Sequence, residues 1–525
     1  MMMSKISKAL ALFAVLFLLV PAQGLFADGL RGGFDEAFGP RIHPHPRSAP
    51  PDGRHRPHPR PDRTRAVAVS YWNQIAIDAS ILDHTRPVDS ETREFGEQLG
   101  PVRTSYALAI VHLAVFDAVN AIAGGYESYT GLPRARPVTS VRSAIAQAAY
   151  DTLVFLYPSQ KAIFDLPLTE ALEAIPEGQA KSDGIALGHS AAAAILARRA
   201  NDGYYPHPLP KYLELELGTG FIPSNDPGKW RQDPISRVGI ALGVNWGKVT
   251  PFVLKSGDQF RIPKPPALDS TEYAAAFKEV VSLGGCGEVP AGCPAVDQGG
   301  HLTPTDRTPE QTEIGIYWGY DVTPGLGVPP RLYNQIAMKI AHKMGTDSDE
   351  VELARFLALV NVAMADVGIA AWESKYYYQF CRPITCIREA EASTGGNLNF
   401  TSLGAPASNL DGPNFTPPFP AYPSGHAAFG GALFEMLRNY YRTDRIPFTF
   451  VSDEFNGVTQ GNNSDVPRPK VTRSFSSLSQ AEEENGRSRI YLGIHWAFDS
   501  TEGIKQGNRV ADYVFKNILR PHHRR

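Results

Sequence analysis

The chain has 525 residues, of which 43% are hydrophobic and 20% charged, with a formal net charge of −3. That length suffices for one large domain or two of medium size. The near-balanced charge excludes a globally basic nucleic-acid binder and a strong attraction to an anionic membrane surface. No nucleic-acid partner and no stable membrane insertion are therefore expected.

Lys5 and Lys8 precede an apolar stretch, Ala9 to Val20, and small residues follow with candidate cleavage after Gly24 or Ala27. This pattern predicts a secretory signal peptide over residues 1–27 and a secreted or periplasmic protein. The stretch falls short of the ~20 residues of a spanning helix, and no later segment reads as long and apolar enough to span. Residues 28–66 contain "PRIHPHPRSAPPDGRHRPHPRPD", rich in Pro, Arg and His. Such a composition cannot build a core and predicts a disordered linker. Its His43, His45, His55 and His58 are read as parts of a solvated spacer rather than a metal site.

Residues 67–310 read as an N-terminal helical half. Ala107, Ile110, Val111, Ala114, Ala118 and Ile122 recur at i, i+3, i+4 spacing, and 141–156, 181–200 and 272–283 behave alike. His112, Asp117 and Asn120 share the first of these helices and are read as packing groups. Residues 311–520 read as a C-terminal helical half. A capping box with proline at the first helical position, Thr308-Pro309-Glu310-Gln311, opens a helix over 309–319. Further helices are expected over 330–345, 349–380, 424–442 and 479–494. Strand-like alternation is scarce, and the connections 204–235 and 395–423 are long and rich in Pro and Gly. The fold class expected is all-α, as two four-helix-type bundles with long loops. Cys286 and Cys293 flank a short Gly/Pro-rich loop and could close it, whereas Cys381 and Cys386 are read as candidate free thiols. No cysteine pair has zinc-site spacing.

Three stretches in the second half carry chemistry. In "AWESKYYYQFCRP" (371–383), Lys375 and Arg382 lie seven residues apart, two turns on one face if the helix runs on until Pro383 stops it. In "FPAYPSGHAAFGG" (419–431), Ser424 can cap a helix, Gly425 lets a ligand approach the backbone, and His426 stands in the first turn. Free N–H groups at that terminus favour an anion. In "GRSRIYLGIHWAFDSTEG" (486–503), Arg489 precedes His495, and Asp499 follows one turn later, placed to orient its ring. Singly, each feature is ordinary helix surface or capping. Together they supply five cationic or ionisable nitrogenous groups, a hydroxyl and glycine amides, which suit a tetrahedral oxyanion such as phosphate or vanadate. No acidic cluster is present for a hard cation.

In order, Lys375-x6-Arg382-Pro383, Pro423-Ser424-Gly425-His426 and Ser488-Arg489-x5-His495-x3-Asp499 resemble the three signatures shared by type-2 phosphatidic acid phosphatases, class A acid phosphatases and vanadium haloperoxidases. Residues 417–441, 316–341 and "RIYLGIHWAFD" are most similar to the vanadium chloroperoxidases, and resemblance covers roughly 70–520. It implies an all-helical fold with two four-helix bundles and vanadate as cofactor. His495 would ligate vanadium; Lys375, Arg382, Ser424, Gly425 and Arg489 would bind the vanadate oxygens. His426 would be the general acid/base, with Asp321 hydrogen-bonded to it, and Lys375 would polarise the activated peroxide. Trp372 and Phe419 would line the halide side, and Phe419, where bromoperoxidases typically carry histidine, leans toward chloride. The family has an aromatic residue immediately before the Arg-Pro pair, where this chain has Cys381. The activity implied is oxidation of chloride, bromide or iodide by hydrogen peroxide to hypohalous acid, with or without an organic acceptor. The alternative is a secreted acid phosphatase in which His495 is the nucleophile and His426 protonates the leaving group. A non-enzymatic oxyanion binder would have no need of His426.

Overall fold

The computed structural model describes residues 68–204, 215–287 and 303–522. The segments expected as signal peptide and linker, the latter with its four histidines, Cys293 and part of the 204–235 connection lie outside the described residues.

The fold is all-α, with two minimal antiparallel strand pairs among the described residues: Leu215–Glu216 with Ile240–Ala241, and Phe448–Val451 with Thr472–Phe475. In the first half run α1 (Ala68–Asp83), α2 (Pro101–Ala123), α3 (Val141–Leu156), α4 (Lys161–Glu173), α5 (Gln179–Arg199) and α6 (Thr271–Leu283). In the second run α7 (Pro309–Tyr317), α8 (Pro329–Met344), α9 (Glu350–Tyr378), α10 (Pro383–Glu389), α11 (Gly425–Tyr441), α12 (Leu478–Tyr491) and α13 (Ala497–Asn517). Helices α2, α3 and α5 pack together; α9, α11, α12 and α13 form a second group; α2 lies against α9 and joins the two.

Local chemistry sets the helix starts. Ser140, Ser270 and Ser424 cap α3, α6 and α11 through their hydroxyls, and the Thr308–Gln311 capping box opens α7 as expected. Helix α2 is buried on nearly every side, where polar groups ordinarily find partners; buried His112 is an exception, neither ring nitrogen being hydrogen-bonded. Asp117 accepts from Ser128, Tyr129 and Thr130, and Asn120 bonds Tyr126, consistent with packing roles.

Several expectations need correction. The helix expected over 349–380 ends at Tyr378, because Gln379 turns left-handed (φ 51°). Arg382 is not on that helix; it is the N-cap of α10, and Pro383 starts that helix rather than stopping the earlier one. The helix around Arg489 likewise ends at Tyr491, and Asp499 belongs to α13. The helix over 497–517 is not among those expected, although its buried Phe498, Val510, Ala511 and Val514 follow a helical period. Helix α4 hides behind Pro167 in its interior. Helices α2 and α9 are, by length and composition, apolar enough to cross a membrane, contrary to expectation. Their most apolar windows are 94% and 100% buried by other parts of the protein. Cys381 and Cys386 are not free: they form a disulfide, the first turn of α10 bringing their Cα atoms to 5.9 Å. Cys286 is disulfide-bonded too.

The α11–α13 contact positions the second half's chemistry. A Cβ on Gly507 of α13 would lie 2.3 Å from the Ala428 carbonyl of α11. Only glycine permits this approach, which brings the α11 N-terminus beside the turn that starts α13.

A buried histidine gives a clean test of packing. His84 donates from Nδ1 to the Ser80 carbonyl (2.6 Å) and accepts from the Gly100 amide at Nε2 (2.9 Å), so a second proton has no acceptor. Burial lowers its pKa from 6.5 to about 4. Between those values the unfolded chain binds a proton that the folded chain refuses. The stability present above pH 6.5 is therefore lost as pH falls toward 4, by at most about 3 kcal/mol. His84→Gln should show a shallower acid dependence of unfolding free energy between pH 4 and 7 than the wild type. Parallel dependences in chemical denaturation would refute this.

Candidate active site

The three motif stretches converge. Trp372 and Lys375 lie in the last turns of α9, Arg382 caps α10, and Ser424, Gly425 and His426 open α11. Arg489 ends α12, and His495 sits in the turn before α13. Asp321 comes from the loop between α7 and α8. A cavity of ≈ 30 Å³ is lined by Asp321, Trp372, Phe419, Gly425, His426, Arg489 and His495, among others. Lys375, Arg382 and Ser424 stand behind this lining. Two roomier surface hollows, ≈ 530 and ≈ 640 Å³, share nothing with the cluster except one face of Trp372.

His495 is held as a neutral ring in one tautomer. Nδ1–H donates to Asp499 Oδ2 (2.8 Å), which also accepts from the Trp496 amide (3.0 Å). Nε2 therefore carries the lone pair and receives Arg382 Nη1–H at 2.9 Å. Burial, reinforced by Arg382 and Lys375, drives the ring's pKa well below its ordinary value. Burial raises the Asp499 carboxyl to about 7. The Asp499 backbone carbonyl also accepts from the Ser424 amide (3.0 Å), tying the His495 turn to the α11 cap.

Arg382 donates from Nε to the Phe419 carbonyl and from Nη1 to the Ile494 carbonyl, both at 2.8 Å. Burial brings its pKa down to about 9. Arg489 donates from Nη2 to both oxygens of Asp321 at 2.8 and 2.9 Å. Arg382 Nη2 and Arg489 Nε and Nη1 are buried without any partner. Orphaned charged donors are costly, and three of them clustered at His495 and the cavity wall formed by Arg489 match an anion with several oxygens. Ser424 Oγ accepts the Ala427 amide (3.4 Å), and the head of α11 adds its dipole.

Lys375 is fully buried, and its ammonium donates to the carbonyls of Pro420 (2.7 Å), Ala421 (3.0 Å) and Pro423. Its pKa falls well below the usual amine range, first through burial and then through Arg382. The Phe419 ring packs against both cations, its centroid 5.0 Å from Lys375 Nζ and 4.9 Å from Arg382 Cζ, and 4.9 Å from the Trp372 ring. Phe419 thus shields buried cations as well as walling the cavity.

His426 donates from Nε2 to the Gly319 carbonyl (2.8 Å), which leaves Nδ1 as the acceptor nitrogen. Burial and Arg489 hold its pKa well below 6.5. The family resemblance implies Asp321 as its hydrogen-bond partner. In this structure Asp321 bonds Arg489 and lies 3.9 Å from His426 Nε2, an ion-pair distance without a hydrogen bond. Burial pushes the Asp321 carboxyl up against the pull of Arg489.

Sequence reasoning missed the groups that place these side chains. Tyr333 Oη and Asn485 Nδ2 both donate to the His426 carbonyl, at 2.9 and 3.0 Å. Buried Glu454 accepts from the Tyr320 amide (3.2 Å), and a Cβ on Gly319 would meet its Oε1 at 2.4 Å. Tyr320 and Val322, flanking Asp321, have φ values of 56° and 66°. The left-handed region is a genuine outlier for a β-branched residue. Such strain persists only where the surroundings impose it. These residues act on backbone atoms from other elements, so no local motif announces them.

Residues 355–524 match a family described as the VCPO second helical-bundle domain. Over 514 residues the chain is 29% identical to the vanadium chloroperoxidase of Curvularia inaequalis, covering 84% of this chain and 80% of that one. The fold is similar to that of the first bacterial vanadium-dependent iodoperoxidase, with TM-score 0.62, 24% identity, and 86% and 98% of the two chains covered. It is also similar to the holo-type bacterial vanadium-dependent chloroperoxidase, with TM-score 0.60, 18% identity, and 83% and 96% covered.

Proposed function

We propose that this chain, a relative of the vanadium haloperoxidases whose residues 355–524 belong to the VCPO second helical-bundle family, binds orthovanadate and uses hydrogen peroxide to oxidise halide to hypohalous acid. The observation that carries the reading is the set of three orphaned guanidinium donors, two on Arg489, which lines the cavity with His495, and one on Arg382, whose Nη1 bonds the His495 ring from behind that lining. Those donors and the head of α11 fit an oxyanion. Vanadate, when bound, supplies a Lewis acid that activates peroxide without changing its own oxidation state.

The chain's own residues then have separable tasks. Arg382, Arg489, Ser424 and the Gly425 amide hold the oxygens. Neutral His495 offers its Nε2 lone pair as the vanadium ligand, with Asp499 fixing the tautomer. His426, neutral with Nδ1 unprotonated, takes the peroxide proton. Asp321 orients Arg489 and adds negative potential near His426. Lys375, whose three N–H groups are taken by the carbonyls of Pro420, Ala421 and Pro423, acts on the peroxide through its positive potential and not through a hydrogen bond. Trp372 and Phe419 give halide a desolvated approach, and Phe419 supports competence toward chloride beside bromide and iodide. An organic acceptor is the target of the hypohalous acid where one is present. The same reading divides the chain at 310/311 into an N-terminal half from 67 and a C-terminal half to 520, and places it outside the cell or in a periplasm, behind the signal peptide. The Cys381–Cys386 disulfide supports that oxidising location.

Peroxide-dependent bromination and chlorination, measured with and without orthovanadate beside hydrolysis of a generic phosphoester, test the reading. Halogenation that appears only with vanadate is expected. Phosphoester hydrolysis inhibited by vanadate, without halogenation, would instead assign a phosphatase.

A further inference from the structure

Arg382 is a buried cation presented by a weak element. It caps α10, whose seven residues are too few for a helix to be stable by itself. The Cys381–Cys386 disulfide closes around that cap. Cys381 is anchored through both of its backbone polar groups: its amide donates to the Gly228 carbonyl (2.9 Å), and its carbonyl accepts from Trp496 Nε1 (3.0 Å). Trp496 directly follows His495. The Cys386 amide in turn donates to the Arg382 carbonyl (3.1 Å). The disulfide therefore links the residue before Arg382, tied to the His495 turn, to the helical turn that Arg382 caps.

We propose that Cys381 and Cys386 are positioning residues, whose disulfide holds the start of α10 so that Arg382 meets the oxyanion cavity in one geometry. The proposal rests on the oxyanion reading of the cavity. Lys375, Arg382 and Arg489 are buried close together, and Arg382 Nη2 has no partner. Before an anion binds, the guanidinium gains by moving toward water. A short helix resists that poorly. A covalent link across the cap removes the alternative conformations, so less order must be imposed when the anion arrives. The pairing also leaves no thiol beside Arg382 for peroxide to oxidise.

The test uses the full chain freed of vanadate. Cys381→Ser/Cys386→Ser and wild type are titrated with orthovanadate and followed by vanadium-51 NMR. The double variant is expected to bind about tenfold or more weakly, with an altered bound resonance, and to recover peroxide-dependent bromination at saturating vanadate. Cys286→Ser, which loses a disulfide that does not bracket Arg382, is expected to keep the wild-type affinity. Should the double variant not fold, wild type reduced with dithiothreitol is titrated with inorganic phosphate, which thiols do not reduce; weaker phosphate binding than in the oxidised protein, with the Cys286→Ser affinity unchanged, supports the proposal. Equal affinities with and without the Cys381–Cys386 link overturn it, as does weakened binding whose activity no vanadate concentration restores. A wild type that binds neither anion overturns the oxyanion reading along with it.

Discussion

His495→Ala should weaken vanadate binding by more than about 100-fold and abolish halogenation at ordinary vanadate concentrations. Loss of a residue that only orients a metal ligand costs roughly 10–100-fold in affinity, so loss of the ligand itself must exceed that range. The geometry makes the substitution severe. Nε2 is the lone-pair nitrogen because Nδ1–H is committed to Asp499 at 2.8 Å. Alanine removes the donor atom, releases Arg382 Nη1 from its 2.9 Å contact and leaves the buried Asp499 carboxyl facing a void. Asp499→Asn is the internal comparison: it keeps the ring but permits the other tautomer, and its loss should stay within the orienting range. Equilibrium dialysis of the apo-protein with orthovanadate reads both. Equal affinity in wild type and His495→Ala would remove His495 as the ligand.

His426→Ala should behave in the opposite way, leaving vanadate affinity within a few fold of wild type while kcat falls by roughly 10²–10⁴, the usual worth of a positioned acid or base. The His426 ring hydrogen-bonds the Gly319 carbonyl and has no hydrogen bond to the groups assigned to hold oxygens. Its pKa is lowered by burial and by Arg489, so the ring is neutral and able to accept a proton at neutral pH. Steady-state bromination with vanadate saturating, beside the same dialysis measurement, separates the two roles. A variant that loses affinity and rate together would show that His426 holds the anion rather than moving a proton.

The contrast depends on the loop around Asp321 staying in place. Glu454 anchors that loop through the Tyr320 amide, and Gly319 presents its carbonyl to His426 only because it lacks a side chain. The strained φ angles at Tyr320 and Val322 are held by this packing, by the Asp321–Arg489 pair, by the Tyr320 hydroxyl's contact with the Asp453 amide and by the Val322 amide's hydrogen bond to the Gly327 carbonyl (3.0 Å).

Residue types and their order were enough to read the all-α class, most helix positions and the cluster of Lys375, Arg382, Ser424, Gly425, His426, Arg489 and His495. Helical periodicity is local, and a buried oxyanion site needs several cations, so both leave marks along the chain. The Ser424 cap and the Asp499–His495 pair were legible for the same reason: each spans about one turn. Tertiary structure alone decided that Arg382 starts a helix instead of continuing one, that Cys381 and Cys386 are joined, and that Asp321 bonds Arg489 rather than His426. It alone decided that Lys375 turns its ammonium onto three carbonyls behind Phe419. In these cases the deciding partner lies far along the chain or is a backbone atom of another element, and a carbonyl or amide has no residue type by which a sequence could name it.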